Sequence, residues 1–436
     1  MHIFFWFCFC LLIPGMILRI PFEGAGILAT DIFVPIFSIT WLSQKILLHK
    51  KFPTNYFLNS GLIFGCFAFF SFLLGAWDLE FKQQILSFSF LVRFLSILIF
   101  GVAAGNLFVS QKDNFFHKFF LIIFCVIFLG FLQFYFFPNL GIFSTEGGWD
   151  PHIGRLLSTW LDPNFIAGFL GIVLPIIIAR FFDLSVLVKK NNSKIEDNFI
   201  PSLNIKNNKF DKNFGNKQKY VYLFLFFLCL IALFLTFSRS GFLSAMIGLF
   251  VFFIFKKPQV IFLGILVGII GIFSNERAQN RMQELSGTVA AIIFQDTDEI
   301  DATARLRIES WQKSLELFYK YPLFGIGFNT YRFRAAEEGI VNENFFSAGG
   351  SDSSHISILV TTGIFGSLAF FYFLGVLFFR NFYRFLIYKR SIYLGFSCSI
   401  ISIFVHSFFV NSLLYPFIFM SIMAIGGVLE KNKDVR

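Results

Sequence analysis

An all-α integral membrane protein of about twelve transmembrane helices is the fold class the sequence predicts, and three observations carry it. Of its 436 residues, 56% are hydrophobic and only 14% charged, far more apolar than a soluble domain of that length. Apolar runs of roughly 17 to 25 residues, the length that crosses a bilayer, recur along the chain. Lysine and arginine collect in alternate short loops between those runs, the pattern that sets orientation in a membrane.

The runs fall near residues 3–20, 26–47, 56–75, 84–107, 117–137, 164–182, 221–237, 241–255, 258–274, 356–378, 391–410 and 412–429. The first, IFFWFCFCLLIPGMIL, lacks a basic leading region and a small-residue cleavage site, so it reads as a helix and not a signal peptide. The eighth is short for a full crossing. The 71 phenylalanines serve lipid-facing helices about as well as leucine would, and carry no functional signal. Cys8, Cys10, Cys66, Cys125, Cys229 and Cys398 all lie in apolar runs without metal or redox spacing.

With the N-terminus inside the cell, every inner loop is basic: Lys45, Lys50 and Lys51; Lys112 and Lys118; Lys256 and Lys257; Arg380, Arg384, Lys389 and Arg390. Both termini are then cytoplasmic. In a soluble protein the net charge of +10 would point to nucleic acid; here it is an orientation signal and no nucleic-acid partner is expected. The chain divides into spans one to six (1–182), a lysine-rich, low-complexity cytoplasmic connector (183–220), spans seven to nine (221–274), an outer loop domain (275–354), and spans ten to twelve with the tail (355–436). In the outer domain, Ile308, Trp311, Leu315 and Phe318 recur at helical spacing in RLRIESWQKSLELFYKYP, with Glu309 and Lys313 four apart on another face. Pro322 ends that helix, and PLFGIGFN is a glycine-punctuated turn.

This topology gathers the informative polar residues at the outer face. Arg239 lies in LFLTFSRSGFLS, where span seven exits and span eight enters. Arg307 shares a helix face with Trp311. His355 opens span ten after SAGGSDSS, with Asp352, Ser353 or Ser354 as its N-cap. Arg155 and the LDPN of 161–164, ending in Asn164, belong to the other outer loop. Two arginine forks suit a diphosphate, and a histidine at the positive end of a helix stays neutral and can take a proton. Together they specify a general base beside a phosphate clamp. No aspartate cluster suits magnesium, and neither metal nor cofactor is expected. Singly, each residue has an ordinary use: an arginine at a helix end snorkels to headgroups, and His152 and His406 are helix-end polar residues. Arg93, well inside span four, is too deep for a headgroup anchor and is a functional or ion-pair residue, with Asp31 as its available partner.

The order and spacing of these pieces resemble the O-antigen ligase and polymerase superfamily. The matching stretches are FLTFSRSGFLSA at 234–245, RLRIESWQKSLELFYKYPLFGIGFNTY at 305–331, SSHISILVTTGIFGSLAFF at 353–371 and GRLLSTWLDPNFIAG at 154–168. The resemblance implies a GT-C-like, metal-independent enzyme of the bacterial inner membrane. Such an enzyme transfers a glycan from undecaprenyl diphosphate, with inversion, to an acceptor at the periplasmic face. It implies His355 as general base and Arg239 and Arg307 as diphosphate ligands; Arg155, Asn164, Arg305 and Arg93 are candidate supporting residues beside them. The chain departs from the family pattern in one place: Ile356 stands where an asparagine usually follows the histidine. The partners implied are the lipid-linked donor and a lipid A-core, glycan or protein acceptor. One dominant outer loop fits a ligase; a polymerase or a protein oligosaccharyltransferase is the alternative. A secondary transporter would instead show related halves and polar residues near the midplane, and neither is evident.

Overall fold

The computed structural model describes residues 1–22, 25–49, 56–141, 152–192, 212–261, 302–342 and 349–430, with isolated positions between 264 and 280. The helices are α1 (His2–Cys10), α2 (Ala29–Leu47), α3 (Tyr56–Ala76), α4 (Phe81–Leu107), α5 (Lys112–Phe136), α6 (Pro163–Asn192), α7 (Lys212–Thr236) and α8 (Arg239–Lys256). After these come α9 (Ala302–Lys320), α10 (Tyr331–Glu337), α11 (Ser354–Tyr388), α12 (Ser391–His406) and α13 (Pro416–Glu430). One short hairpin, β1 (Arg19–Phe22) against β2 (Ala25–Leu28), is antiparallel with Arg19 opposite Leu28. The chain is thus an all-α membrane protein. Among the described residues seven helices, α3 to α8 and α11, are long and apolar enough to cross a membrane, while α12 and α13 are shorter.

Those seven coincide with expected spans, and the differences have physical causes. The first expected span is a helix only to Cys10, because Pro14 has no N–H to donate and Gly15 takes a φ of +55°. The carbonyls this break frees are used: Trp160 Nε1 donates to Leu12 O at 2.9 Å and Thr159 Oγ1 to Ile13 O at 2.5 Å. The second half of the 138–163 loop is therefore not a surface loop, and Leu156 to Trp160 are buried in the bundle. Irregular backbone is stable there only because protein satisfies it. Gln133 Oε1 accepts from Leu157 N and Ser158 N, and Ser158 Oγ donates to Val126 O at 2.7 Å. The expected ninth span lies largely outside the described residues, as do residues 193–211 of the connector. Helices α6 and α7 run on into that connector as far as Asn192 and from Lys212.

Helices α4 and α13 pack closely because Gly101, Gly105 and Gly427 face one another; a Cβ on Gly427 would lie 1.8 Å from Gly101 O. Many phenylalanines pack inward as well: Phe5 stacks on Phe100 with centroids 4.4 Å apart. One end of the bundle is held by charge. Arg180 pairs with Asp113 at 2.5 Å, Arg380 and Arg384 both grip Glu430, and Asp183 caps α12 through Ser391 N and Ile392 N. The opposite end is covered by α9, α10 and the turn between them. There Leu317, Ile326, Tyr331, Ala335 and Val360 form a small apolar cluster, and Phe333 packs on Ala76, Leu79 and Leu86.

Candidate functional site

The covered end owes its shape to a break in α11. Gly363 has φ 67° and ψ −169°, a combination open to glycine and almost no other residue. A straight helix would hold residues 355 and 371 about 24 Å apart, yet the His355 and Phe371 rings lie 5.6 Å apart. The first part of α11 thus folds back on the rest, and the span proper begins after Gly363 instead of at His355. The PLFGIGFN turn fills the break. Ile326 N donates to Val360 O at 2.9 Å and Gly327 N to Thr361 O at 3.2 Å, while Ile364 N donates to Pro322 O at 2.9 Å. Ser71 Oγ also donates to Thr361 O, at 2.6 Å. Gly325 must be glycine for this approach, since its Cβ would meet Thr361 C and Val360 O at 2.5 Å.

Ser353 is the N-cap of α11, accepting from Ile356 N at 3.4 Å. His355 follows in the first turn with its ring packed against Phe371, Phe404 and Phe408, the last at 4.3 Å. Its Nε2 lies 2.9 Å from Phe404 O; a carbonyl only accepts, so Nε2 carries the proton and Nδ1 keeps its lone pair. That Nδ1 is buried and has no hydrogen-bond partner among the described residues. Ile356 packs into the apolar cluster with Leu317 and Tyr331.

The SRSG and LDPN stretches meet. Asp162 Oδ1 accepts from Asn164 N at 2.7 Å and Phe165 N at 3.3 Å, with Pro163 opening α6, so LDPN is a helix start. Ser238 caps α8 and donates from Oγ to Asn164 Oδ1 at 2.8 Å. Arg239 is the first residue of α8. Arg155 fixes the turn before it, donating from Nε to Thr236 O at 2.8 Å, and its Nη1 lies 3.4 Å from His152 Nδ1. His152 in turn lies 3.9 Å from Asp162.

Arg307 reaches the same region from α9. Burial pushes the Asp352 carboxyl up; the Arg307 charge opposes this and Asp162 adds to it, so Asp352 lies under the influence of both. Asp352 N also donates to Ser310 Oγ at 3.3 Å, tying the loop ahead of His355 to the face of α9 that carries Arg307. His406 is fully buried on Gly168, with Nδ1 2.9 Å from Ser412 Oγ. His355 and His406 use opposite sides of the end of α12, because Phe404 and Phe408 share one face and residue 406 points away from it. The contacts of the His355 ring are these aromatic ones and Phe404 O.

The remaining residues divide. Arg305 is exposed, with Nε 3.9 Å from Glu309. Arg93 forms a two-pronged pair with Asp31, at 2.5 Å and 2.6 Å. It lies on α4, which begins at Phe81 and whose first turns touch the covering layer, where Ser87 Oγ donates to Asn329 O at 3.1 Å. Arg332, only 7% exposed, approaches Gly349; sequence reasoning gave it no role, and nothing in its spacing singles it out. Arg334 docks the layer by donating to Gly75 O at 2.7 Å and pairing with Asp78, whose carboxyl it holds below the usual range.

Fold and site thus define a multi-pass membrane protein with a polar, arginine-bearing site at one end of its bundle. Residues 224–371, about a third of the chain, match the family model described as O-antigen ligase. That stretch runs from α7 past the break in α11, and the match supports the resemblance to the O-antigen ligase and polymerase superfamily. No curated protein matches the chain.

Proposed function

We propose that the protein transfers a glycan from an undecaprenyl diphosphate carrier to an acceptor at the periplasmic face of the bacterial inner membrane, as an O-antigen ligase. The observation that carries this reading is a meeting at one end of the bundle: the turn opening α8 at Arg239, the face of α9 bearing Arg307, and the bend that presents His355. A cation at the first residue of a helix faces the positive end of its dipole, so an anion beside Arg239 is favoured twice over. Arg239 and Arg307 hold the diphosphate in this reading, Asn164 and Arg155 brace the α7–α8 turn, and His355 takes the proton of the acceptor hydroxyl at Nδ1. The hydroxyl oxygen then attacks the anomeric carbon from the face opposite the carrier. The bond to the diphosphate breaks, its electron pair leaves with the carrier, and the configuration inverts. Arginine carries the leaving charge, without metal. The ion-paired end, with Lys256, Arg380, Arg384 and Lys389, is cytoplasmic by the charge rule, as are both termini.

A repeat-unit polymerase or a protein oligosaccharyltransferase would use the same chemistry, and a glycolipid profile separates them. In a deletion strain complemented with His355→Ala, long glycan should be lost from its final acceptor while full-length chains accumulate on the carrier. Single repeat units accumulating instead would make the protein a polymerase. An unchanged profile would overturn the enzyme reading in favour of a secondary transporter. Arg239→Lys should also impair transfer, because a point charge cannot replace the fork.

A further inference from the structure

A cavity lies beside the bend, on the side of α11 that His355 does not use. It measures about 160 Å³ and is bounded by α4, the turn into α10, the Gly349–Gly350 backbone, α11 and the turn into α13. Its chemistry is unlike that of the diphosphate site. The one charged side chain in its wall, Arg93, is already paired through both prongs with Asp31 and lies over the Phe90 ring at 4.1 Å. The wall therefore offers an anion little. What it offers is directional and neutral. The half-exposed side-chain amides of Asn329 and Asn411 line it, and the buried hydroxyl of Tyr415 has no hydrogen-bond partner among the described residues. Ser357 and Thr361 add hydroxyls, and Phe94, Phe328 and Phe419 add apolar faces.

We propose that this cavity is a saccharide subsite that binds one uncharged sugar ring, its C–H face on the aromatic wall and its hydroxyls on Asn329, Asn411 and Tyr415. Aromatic surface with a few convergent polar groups is the ordinary composition of a small-molecule site. The volume lies well below the roughly 300–1,000 Å³ of drug-sized pockets, which limits the guest to a single ring. A buried hydroxyl left unpaired, as that of Tyr415 is, is costly, so a ring that pairs it is favoured over one that lacks the matching group. The source of the sugar rests on the glycan-transfer reading; the chemistry of the cavity does not. Because Ser357, Ile358 and Thr361 lie on the same short helical segment as His355, the ring would be a unit of the glycan close to the reacting end, on either donor or acceptor.

Binding and transfer are measured separately. Saturation-transfer NMR on the full chain in detergent uses two probes: the glycan released from the strain's own lipid carrier, and the glycan of its acceptor. Wild type should bind one of them, and which one names the source. Asn411→Ala and Asn329→Ala should each weaken that binding up to about tenfold, the effect of losing one neutral hydrogen bond. Inorganic diphosphate should not displace the glycan. His355→Ala should bind it as wild type does while losing transfer. Wild-type binding of both glycans by both asparagine variants would overturn the subsite, as would displacement by diphosphate. Retained transfer by His355→Ala would overturn the base assignment and leave the subsite standing.

Discussion

Gly363→Ala tests the bend directly. The backbone there has φ 67° and ψ −169°, a region whose occupancy by other residues costs about 1–3 kcal/mol. The added methyl would also lie 2.2 Å from Leu323 O, 2.3 Å from Leu323 C and 2.5 Å from Phe324 N. All three are backbone atoms of the turn that fills the break, so no side chain can swing aside. The alternative is a straighter helix, which would strip Val360 O, Thr361 O and Ile364 N of the partners they now have. Each buried group so orphaned costs about 1–3 kcal/mol. Either route exceeds about 3 kcal/mol in total. Thermal unfolding of the purified protein should fall by several degrees, and glycan transfer should fail because His355 leaves the end of α12. Gly375→Ala is the control: its Cβ would meet only Phe379, at 3.8 Å, and helix propensity favours alanine by about 0.5–1 kcal/mol. A Gly363→Ala protein with wild-type unfolding temperature and wild-type transfer would refute the argument.

The Arg93–Asp31 pair is only 12% and 15% exposed, so Asp31→Asn should lower stability by about 3–5 kcal/mol through the unpaired charge it leaves. The double change Asp31→Leu with Arg93→Met should recover most of that loss in the same unfolding assay. Ser238→Ala removes the N-cap of α8 and its bond to Asn164, so stability should drop by about 1 kcal/mol, while transfer falls further because Arg239 is misplaced. Arg334 lowers the folded pKa of Asp78. That contribution is fully present above the ordinary carboxylate value of about 3.9 and is lost as pH falls through the lower folded value. Unfolding temperature measured against pH should therefore show an acid limb that Arg334→Ala flattens.

The spans were legible because bilayer length and apolar composition leave a strong signal: α3 to α8 and α11 stand where the apolar runs do. The start of α6 was legible for a local reason, since Asp-Pro is a cap followed by a first-turn proline. The break in α11 was not. SHISILVTTGIFGSLAFF reads as one uninterrupted apolar run, and Gly363 becomes a bend only because a turn some forty residues earlier in the chain, about 321–328, supplies replacement hydrogen bonds. A long-range contact of that kind leaves no trace in local periodicity. The burial of Leu156 to Trp160 was hidden for a similar reason, because its donors and acceptors are Gln133, Val126, Leu12 and Ile13. Phenylalanine was misleading in a different way. Read as lipid-facing filler, it also builds the core, where Phe94 stacks on Phe419 and Phe64 meets Phe370 edge to face. Asp31 was legible as an available partner for Arg93 but not as its actual one, and the structure forms that pair.

The contacts around His355 and those at the ion-paired end differ in chemistry, and the difference says where rearrangement is least costly. At the ion-paired end, Arg180, Asp113, Asp183 and Glu430 are held by charge-assisted contacts, and removing Glu430, which is buried against Arg380 and Arg384, costs about 3–5 kcal/mol. At the site end charge holds the covering layer, through Arg334–Asp78 and Arg93–Asp31, but the joints around His355 are neutral. Ser353 Oγ and Ser354 N bond Ser407 O, Ser354 Oγ bonds Val410 O, and Ser238 Oγ bonds Asn164. Each such bond contributes about 0.5–1.5 kcal/mol. The ring that closest covers His355, Phe408, is itself 44% exposed and lies just beyond the end of α12. Uncovering Nδ1 therefore means moving aromatic rings and a few serine contacts at one end, while the other end holds the helices in register. In the proposed reading, a substrate anchored in the bilayer would enter from the side and require an opening at one level only, and the weak joints around His355 are where that opening would form.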